Sequence, residues 1–461
     1  MSRAVTRELA EWIASVKPQD IPPDVAHQAK RALLDYLGAA LAGSTTRISR
    51  GVRDYLYEAD GGSTATVVGS DRKLGPLGAA LANGAAAHGL EIDDGYTKGS
   101  VHPGTVCFPA VLAAAEAHAA RVDQVIAACA VAIEVTCRLS GATHPATWRQ
   151  GFHNTGVNGV FGAAAGVANL LGLDAERTLW ALGIAASSAS GLFEFLGTGA
   201  EVKRVHPGKA ARDGILAAEL AARGVTGPAT AMEGRNGYFR AYAAGEVDID
   251  HLLNDLGRRW ETMRIYVKPY PCCRHLHGPI DAVLALRSQQ PIDLDAVRSI
   301  RVETYTVASH HNHRNVRDFL DAQMSIPYAT AVALADGVVG LAQFSAAHRS
   351  RPDLRRLVEM VEVVAAPDCD AGYPKQGRPA RVTLEMAGGA RLSHRIAYPL
   401  GEPENQLSDR DLERKFHNVC GPVVGEEACA RIIETVWNLS DMDELYSAVS
   451  FPPDNLRPAM D

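Results

Sequence analysis

The sequence predicts a mainly α fold: a large all-helical domain formed by both chain ends, with an α+β domain inserted between them. Three observations point there. Alanine and glycine are plentiful while aromatic residues make up only 6% of the 461 positions, a mix that suits closely packed helices with small contact residues. Apolar residues recur at helical spacing up to about residue 260 and again after Pro403. Between these stretches lie alternating runs rich in β-branched residues.

The elements follow in order. Residues 25–41 are a helix closed by Ala42-Gly43-Ser44, a C-cap composition. A short strand or hairpin fits 65–68. Residues 77–90 and 109–120 are alanine-rich helices. Residues 159–171 and 179–192 are buried helices, whose glycine and serine allow close backbone approach at some cost in intrinsic propensity. From about residue 265 the pattern changes. Strands are predicted at 264–268, at 297–307 (Val297, Ile300, Val302, Thr304 and Thr306), at 380–386 and at 391–396. The last two pair across Ala387-Gly388-Gly389. Helices at 279–288 and 326–336 lie among them, and helices at 409–416 and 426–437 close the chain. The implied division is 1–265 and 401–461 for the helical domain and 266–400 for the α+β insert. The last dozen residues, rich in proline, read as a tail.

Composition limits the functions open to the chain. A formal net charge of -7 argues against general attraction to nucleic acid, so anionic ligands need a locally basic pocket. No run approaches the ~18 apolar residues of a membrane span. The charged N-terminus lacks a secretory apolar region. Eight cysteines are too sparse for a disulfide scaffold, and a reduced, cytoplasmic setting is expected.

Four segments concentrate chemistry. In Lys268-Pro-Tyr-Pro-Cys-Cys-Arg-His-Leu-His277, two prolines stiffen a non-helical loop crowded with Lys268, Cys272, Cys273, Arg274, His275 and His277. Such a loop suits an anionic substrate, a metal or thiol chemistry. The segment 91–104 puts Glu91, Asp93, Asp94 and His102 into a glycine-punctuated loop. His102-Pro-Gly leads into an apolar helix, and an imidazole with an ordinary pKa of about 6.5 suits proton transfer there. In Gly151-Phe-His-Asn-Thr-Gly156, His153 precedes a helix N-terminus, a place that attracts carboxylates. Glu201-Val-Lys-Arg-Val-His-Pro-Gly-Lys209 gathers Lys203, Arg204, His206 and Lys209 between apolar flanks at 193–200 and 210–218, a basic patch in an acidic protein. The spacings match no zinc-finger or H-E-x-x-H pattern, no G-x-S-x-G elbow and no nucleotide-binding glycine loop, so no metal is expected.

Taken in order, these segments resemble the MmgE/PrpD family. The resemblance is carried by Leu33-Leu-Asp-Tyr-Leu-Gly-Ala-Ala-Leu-Ala-Gly43, by Ala82-Asn-Gly-Ala-Ala-Ala-His-Gly-Leu-Glu-Ile-Asp-Asp94 with His102-Pro-Gly104, and by Gly151-Phe-His153 with its glycine-rich helix. It continues through Lys203-Arg-Val-His-Pro-Gly-Lys-Ala-Ala211, Lys268-Pro-Tyr-Pro-Cys-Cys273, Gln323-Met-Ser-Ile-Pro-Tyr328 and Gly401-Glu-Pro-Glu-Asn405, so it spans nearly the whole chain. The family includes 2-methylcitrate dehydratase, cis-aconitate decarboxylase and iminodisuccinate epimerase. The resemblance implies that the α+β insert is a lid domain, that the protein is a homodimer, and that its chemistry needs no cofactor. It also implies a small-molecule carboxylate substrate.

The resemblance assigns Lys203 as a pocket lysine, His102 and His153 as pocket histidines, and Lys268 as the lysine opening the lid-domain loop. With Cys273 these form the candidate catalytic set. Glu91, Asp93, Asp94, Arg204, His206, Arg274 and His275 form the candidate binding set. Two departures bear on reaction type. Decarboxylase and dehydratase members tend to read Asp-x-Asp-Asp-Thr where this chain has Glu91-Ile-Asp-Asp-Gly95. The decarboxylase carries a histidine near the position of Cys272 or Cys273. The expected function is therefore a polycarboxylate lyase of the 2-methylcitrate dehydratase type, acting by proton transfer next to a carboxylate. The alternatives are epimerisation of an aminodicarboxylate, decarboxylation of a cis-aconitate type, and carboxylate binding without turnover.

Overall fold

The computed structural model describes residues 3–59, 61–195, 200–373 and 377–459. The chain is mainly α with a small α+β part, and it divides into two compact units. One unit comprises Met1–Tyr266 with Asp409–Ala459, and the other Val267–Ser408. The helical segment thus resumes at Asp409 rather than at 401. Residues 401–408 stay with the α+β unit, where the Val267 N–H donates to the Gly401 carbonyl at 3.1 Å. Gly401 has φ +91°, and a Cβ there would lie 1.9 Å from the Val267 carbonyl oxygen, so only glycine fits.

The helical unit is built on long buried helices, among them Pro23–Ser44, Val122–Thr143, Asn154–Leu170 and His206–Ala222. The two chain ends meet in its core. Phe416, on Asp409–Val424, packs its ring over Gly38 at 3.1 Å from a built Cβ. Lys415 of that helix ion-pairs with buried Asp35 and donates to the Ile92 carbonyl at 2.7 Å. Against the expectation of no membrane-length apolar run, Val122–Thr143 is long and apolar enough to cross a membrane, but its most apolar window is wholly buried inside the unit. It also carries the buried pair Glu134–Arg138 at 2.5 Å. The Arg138 guanidinium donates to the carbonyls of His251, Asn254 and Arg259.

Several elements start earlier than their apolar periodicity suggests. The helix expected at 159–171 runs from Asn154, that at 109–120 is Gly104–Ala117 with Pro109 inside it, and that at 179–192 is Ala175–Ser188, capped by the Asp174 carboxylate on the Arg177 N–H. Caps and first turns are polar or small, so they fall outside the apolar repeat. The strand expected at 264–268 is absent: Glu261–Arg264 forms a 3-10 turn, and Tyr266 makes only an isolated antiparallel bridge to Gly95. The chain after it makes the Val267 N–H bond to the Gly401 carbonyl but forms no ladder among the described residues, and two prolines stiffen it from there. The expected tail is held in place. Phe451 is buried, the Arg457 N–H donates to the Val423 carbonyl, and the Ala459 N–H donates to Thr45 Oγ1. The hairpin near 65–68 is present as β1 (Ala65–Thr66) and β2 (Lys73–Leu74), paired antiparallel.

The α+β unit holds a four-stranded sheet in the order β4-β3-β5-β6. Strands β3 (Val297–Thr304), β5 (Ala380–Met386) and β6 (Arg391–Ile396) follow the alternation read from sequence. Strand β4 (Val361–Ala365) does not; it runs parallel to β3, with Val302 opposite Val363. Its five residues follow directly on the helix Pro352–Met360. Helices His277–Gln289 and Ile326–Asp336 bury Ile280, Val283, Val332 and Leu334 with the sheet residues Ile300, Val302, Val382 and Leu384 in one core.

One close approach in the helical unit sets up the site. The helices Pro76–Ala87 and His206–Ala222 touch backbone to backbone. A Cβ on Gly208 would lie 2.2 Å from the Leu81 carbonyl oxygen, and one on Gly84 2.5 Å from the Gly208 Cα. Replacing Gly208 by alanine is expected to force these helices apart, lower stability by about 1–3 kcal/mol and reduce turnover by disturbing Lys203 beside Glu91. Thermal melts and kcat measured on the same preparation check both effects.

Candidate active site

In the helical unit, the loop between Pro76–Ala87 and Gly104–Ala117 folds inward. Glu91 sits at φ +59°, a left-handed conformation that a residue with a Cβ adopts only under constraint. Its carboxylate ion-pairs with the Lys203 ammonium, which is presented by the 3-10 turn Glu201–Val205. Both side chains are largely shielded from solvent. A positive φ and a buried ion pair at one residue make this loop a constrained, inward-folded segment rather than a solvated connection.

Asp93 ties two histidines together. Its Oδ2 accepts from His88 Nδ1 at 2.9 Å and from His102 Nδ1 at 3.1 Å. His102 Nδ1 also lies 2.7 Å from the Asp94 carbonyl. Both of its partners are acceptors, so Nδ1 carries the proton, and Nε2 of neutral His102 holds the lone pair. His102 keeps 16% side-chain exposure, whereas His88 is fully buried. Burial brings His88 down to about 4 against the opposing pull of Asp93, so it stays a neutral support. The Asp94 side chain reaches the first residue of the following helix, where both carboxylate oxygens accept the Gly104 N–H at 3.0 and 3.1 Å.

The second histidine pair lies beside this network. His153 stands at the N-cap position of the helix Asn154–Leu170 without a side-chain cap bond, and its Nδ1 is 3.1 Å from His206 Nδ1, so one ring donates and the other accepts. Phe193 and Phe195 meet the His153 ring edge-on, with centroids 5.3 and 5.4 Å away. Burial pushes His153 well below the usual imidazole range. Burial and then Lys209 and Lys203 lower His206 to about 4. The His88 and His153 rings are 6.2 Å apart, so the two pairs form one imidazole cluster, and the Lys203 charge helps to lower His88, His153 and His206. Arg204 is turned to Glu201 at 4.0 Å, and Lys209 to Asp213 at 3.3 Å. Part of the expected apolar flank, residues 196–199, lies outside the described residues.

The α+β unit holds the second concentration of candidates. Lys268 is buried at 1% exposure. Gln323 clamps the loop that follows: its carbonyl accepts the Cys273 N–H at 2.9 Å, and its Nε2 donates to the Pro271 carbonyl at 2.7 Å. Cys272 is wholly buried among core residues, and Cys273 is partly exposed. Burial works to lower His311, but Cys273, through charge and a hydrogen bond, raises it on balance above its ordinary value. His275 Nδ1 bonds the Tyr305 hydroxyl, and its ring stacks on His311 with centroids 5.4 Å apart.

Arg274 is engaged structurally. Its guanidinium meets Glu402 at 3.2 Å, the Leu400 carbonyl at 2.9 Å and His277 Nδ1 at 2.8 Å. Arg378 reaches the same Glu402 oxygen at 2.7 Å. Burial pushes the Glu402 carboxyl up, but the two guanidiniums hold it below the usual carboxylate range. Its pairing therefore stabilises the fold above the unfolded-state carboxylate pKa of about 4.3, and that contribution is lost as pH falls through the lower folded value. Glu402→Gln is expected to lower the melting temperature at neutral pH and to flatten its fall below about pH 4. Melts recorded from pH 3 to 7 test this, and parallel wild-type and variant curves would exclude it.

The residues that sequence reasoning passed over are His88, Tyr305, His311, Gln323, Arg378, Glu402 and Lys415. His88 had a legible signal, a single histidine in an alanine run five positions before Asp93. His311 stood in His310-His311-Asn312-His313. Nothing in the local sequence joins Arg378 to Glu402 or Lys415 to Asp35.

The MmgE/PrpD N-terminal domain model matches residues 7–250, and the C-terminal domain model matches residues 270–441. The chain is 29% identical over 469 residues to a cis-aconitate decarboxylase of Aspergillus terreus (strain NIH 2624 / FGSC A1156), covering 96% of this chain and 94% of the relative. It is 30% identical over 477 residues to the cis-aconitate decarboxylase-like protein oryM of Aspergillus oryzae, covering 97% of each. The cis-aconitate decarboxylase of Homo sapiens is 27% identical over 455 residues, covering 96% of this chain and 93% of the relative.

Proposed function

Because the chain belongs to the MmgE/PrpD family, we propose that it is a cofactor-independent lyase of a di- or tricarboxylate, working by proton transfer at a carbon next to a carboxylate. The observation that carries this reading is the buried Glu91–Lys203 pair beside the His88–Asp93–His102 network. His102 Nε2 is the proton-transfer atom: Asp93 and the Asp94 carbonyl hold the proton on Nδ1 and aim the ring. Lys203, held by Glu91, supplies positive charge for a substrate carboxylate and for the enolate-like charge that develops when a bond to the adjacent carbon breaks. The neutral pair His153 and His206 donates and accepts hydrogen bonds without adding charge. Asp94 and Arg274 serve as supports in this reading, since their polar groups already hold backbone and side-chain partners.

Among the reactions of this type, decarboxylation of a cis-aconitate-like tricarboxylate comes first, since the relatives named above carry it in their names. In that reaction the carbon–carboxylate bond breaks, carbon dioxide leaves, the electron pair stays on the substrate, and His102, entering the step protonated at Nε2, delivers that proton to carbon. Dehydration of a 2-methylcitrate-like substrate uses the same groups, with proton removal from carbon and loss of hydroxide. A second reading is epimerisation of an aminodicarboxylate. It is favoured by the Cys273–His311 hydrogen bond in the α+β unit, a thiol–imidazole pair able to exchange a proton. The homodimer implied by the resemblance and the cytoplasmic setting expected from the sparse cysteines go with this proposal.

Incubation with cis-aconitate, 2-methylcitrate and iminodisuccinate in deuterated water separates the readings. Decarboxylation releases carbon dioxide and leaves deuterium on the product. Dehydration raises ultraviolet absorbance from a new double bond, and epimerisation exchanges the α-hydrogen without an alkene. Ligands that raise the melting temperature with no turnover would leave a binding protein and overturn the enzymatic reading.

A further inference from the structure

We propose that Cys273, His275 and His311 form a binding site for a divalent cation of the zinc class in the α+β unit. One ligand atom from each of the three residues lies within 4.8 Å of the others. In a tetrahedral zinc site, with Zn–S near 2.3 Å and Zn–N near 2.0–2.1 Å, neighbouring donors are roughly 3.3–3.6 Å apart, so closure takes roughly an ångström of side-chain adjustment. A thiol with two imidazoles selects zinc-like cations over magnesium or calcium, which take oxygen donors.

The outer partners needed by such ligands are already built. His311 Nδ1 donates to the Met324 carbonyl at 3.0 Å, leaving Nε2 for the cation. His275 Nδ1 bonds the Tyr305 hydroxyl, and Nε2 is again the remaining ring nitrogen. This is how metal-binding histidines are oriented: a hydrogen bond at one nitrogen fixes the tautomer that ligates through the other. The Cys273 N–H is anchored on the Gln323 carbonyl at 2.9 Å, so the thiol is carried on a fixed loop. The nearby guanidiniums of Arg274 and Arg378 are paired with Glu402, which lowers the local positive charge that a cation would meet. Three protein donors leave a fourth position for water or a carboxylate oxygen. The site unites 273–275 with 311, segments that the sequence keeps more than thirty residues apart and that fit no metal-binding spacing.

The test is a titration of tag-free, reduced protein with cobalt(II) followed by absorption, and with zinc(II) followed by calorimetry. One equivalent per chain is expected, with the intense visible bands of tetrahedral cobalt and a thiolate-to-cobalt band in the near ultraviolet. Cys273→Ser removes the thiolate band, His311→Ala and His275→Ala abolish stoichiometric binding, and Tyr305→Phe weakens it by about tenfold. Zinc also raises the melting temperature of the wild type. Wild-type protein that binds cobalt without a thiolate band, or keeps one equivalent after both His311→Ala and His275→Ala, overturns the site. So does loss of binding through His88→Ala instead, which would assign the cation to the His88–Asp93–His102 group. All readouts are independent of turnover: a cation held by Cys273 and His311 excludes the epimerisation reading, which uses that pair, and leaves the lyase reading on His102 and Lys203 untouched.

Discussion

Replacing His102 by glutamine is expected to lower kcat by about 10²- to 10⁴-fold while the melting temperature changes little. Glutamine keeps a polar group of similar reach but has no atom that both accepts and returns a proton. His102 is the one member of its network with partial exposure, and its Nδ1 is fixed by Asp93 and the Asp94 carbonyl. Asp93→Asn supplies the comparison. It leaves the fold in place but weakens the tautomer and the ring orientation, so its loss of kcat is smaller than that of His102→Gln. Equal activity in His102→Gln and wild type, with both correctly folded, would remove His102 from the proton-transfer role.

Lys203→Ala is expected to reduce kcat/KM by about 10²- to 10³-fold, the scale seen when a charge-stabilising donor is removed from a reacting centre. Removing Lys203 also takes away the cation beside Glu91, which is buried, so stability falls as well. The double variant Glu91→Gln/Lys203→Ala separates the two effects. It recovers much of the lost melting temperature because no buried carboxylate charge has to be matched. It recovers no activity, because the positive charge is still absent. If the double variant regains turnover, Lys203 is a structural partner of Glu91 and not a carboxylate-binding group.

Much of the fold was legible because amphipathic periodicity is local. The alternation of Val297, Ile300, Val302 and Thr304 matches β3, and the glycines at 388 and 389 match the turn between β5 and β6. Strand β4 was not legible. Its four valine and alanine positions follow a helix without a break, and its partner β3 lies some sixty residues earlier. The strand expected at 264–268 failed for the opposite reason. Its composition fits a strand, but pairing depends on what the rest of the chain offers, and there Tyr266 bridges Gly95 while Val267 bonds Gly401, so no ladder builds up.

The candidate site divides in the same way. Charge, histidine and glycine placement along 91–104, 151–156, 201–209 and 268–277 was enough to single out Glu91, Asp93, His102, His153, Lys203, Lys268 and Cys273 from sequence alone, together with the family. What each group is free to do was decided by tertiary structure. Asp94 caps a helix, Arg274 is held by Glu402 and two carbonyl groups, and His88, unremarked in its alanine run, became the buried partner of Asp93. Residue type is a property of the chain and can be read along it. Burial, tautomer and ion pairing depend on neighbours brought together by packing, such as Gly84 against Gly208 or Arg378 against Glu402, and these exist only once the chain has folded.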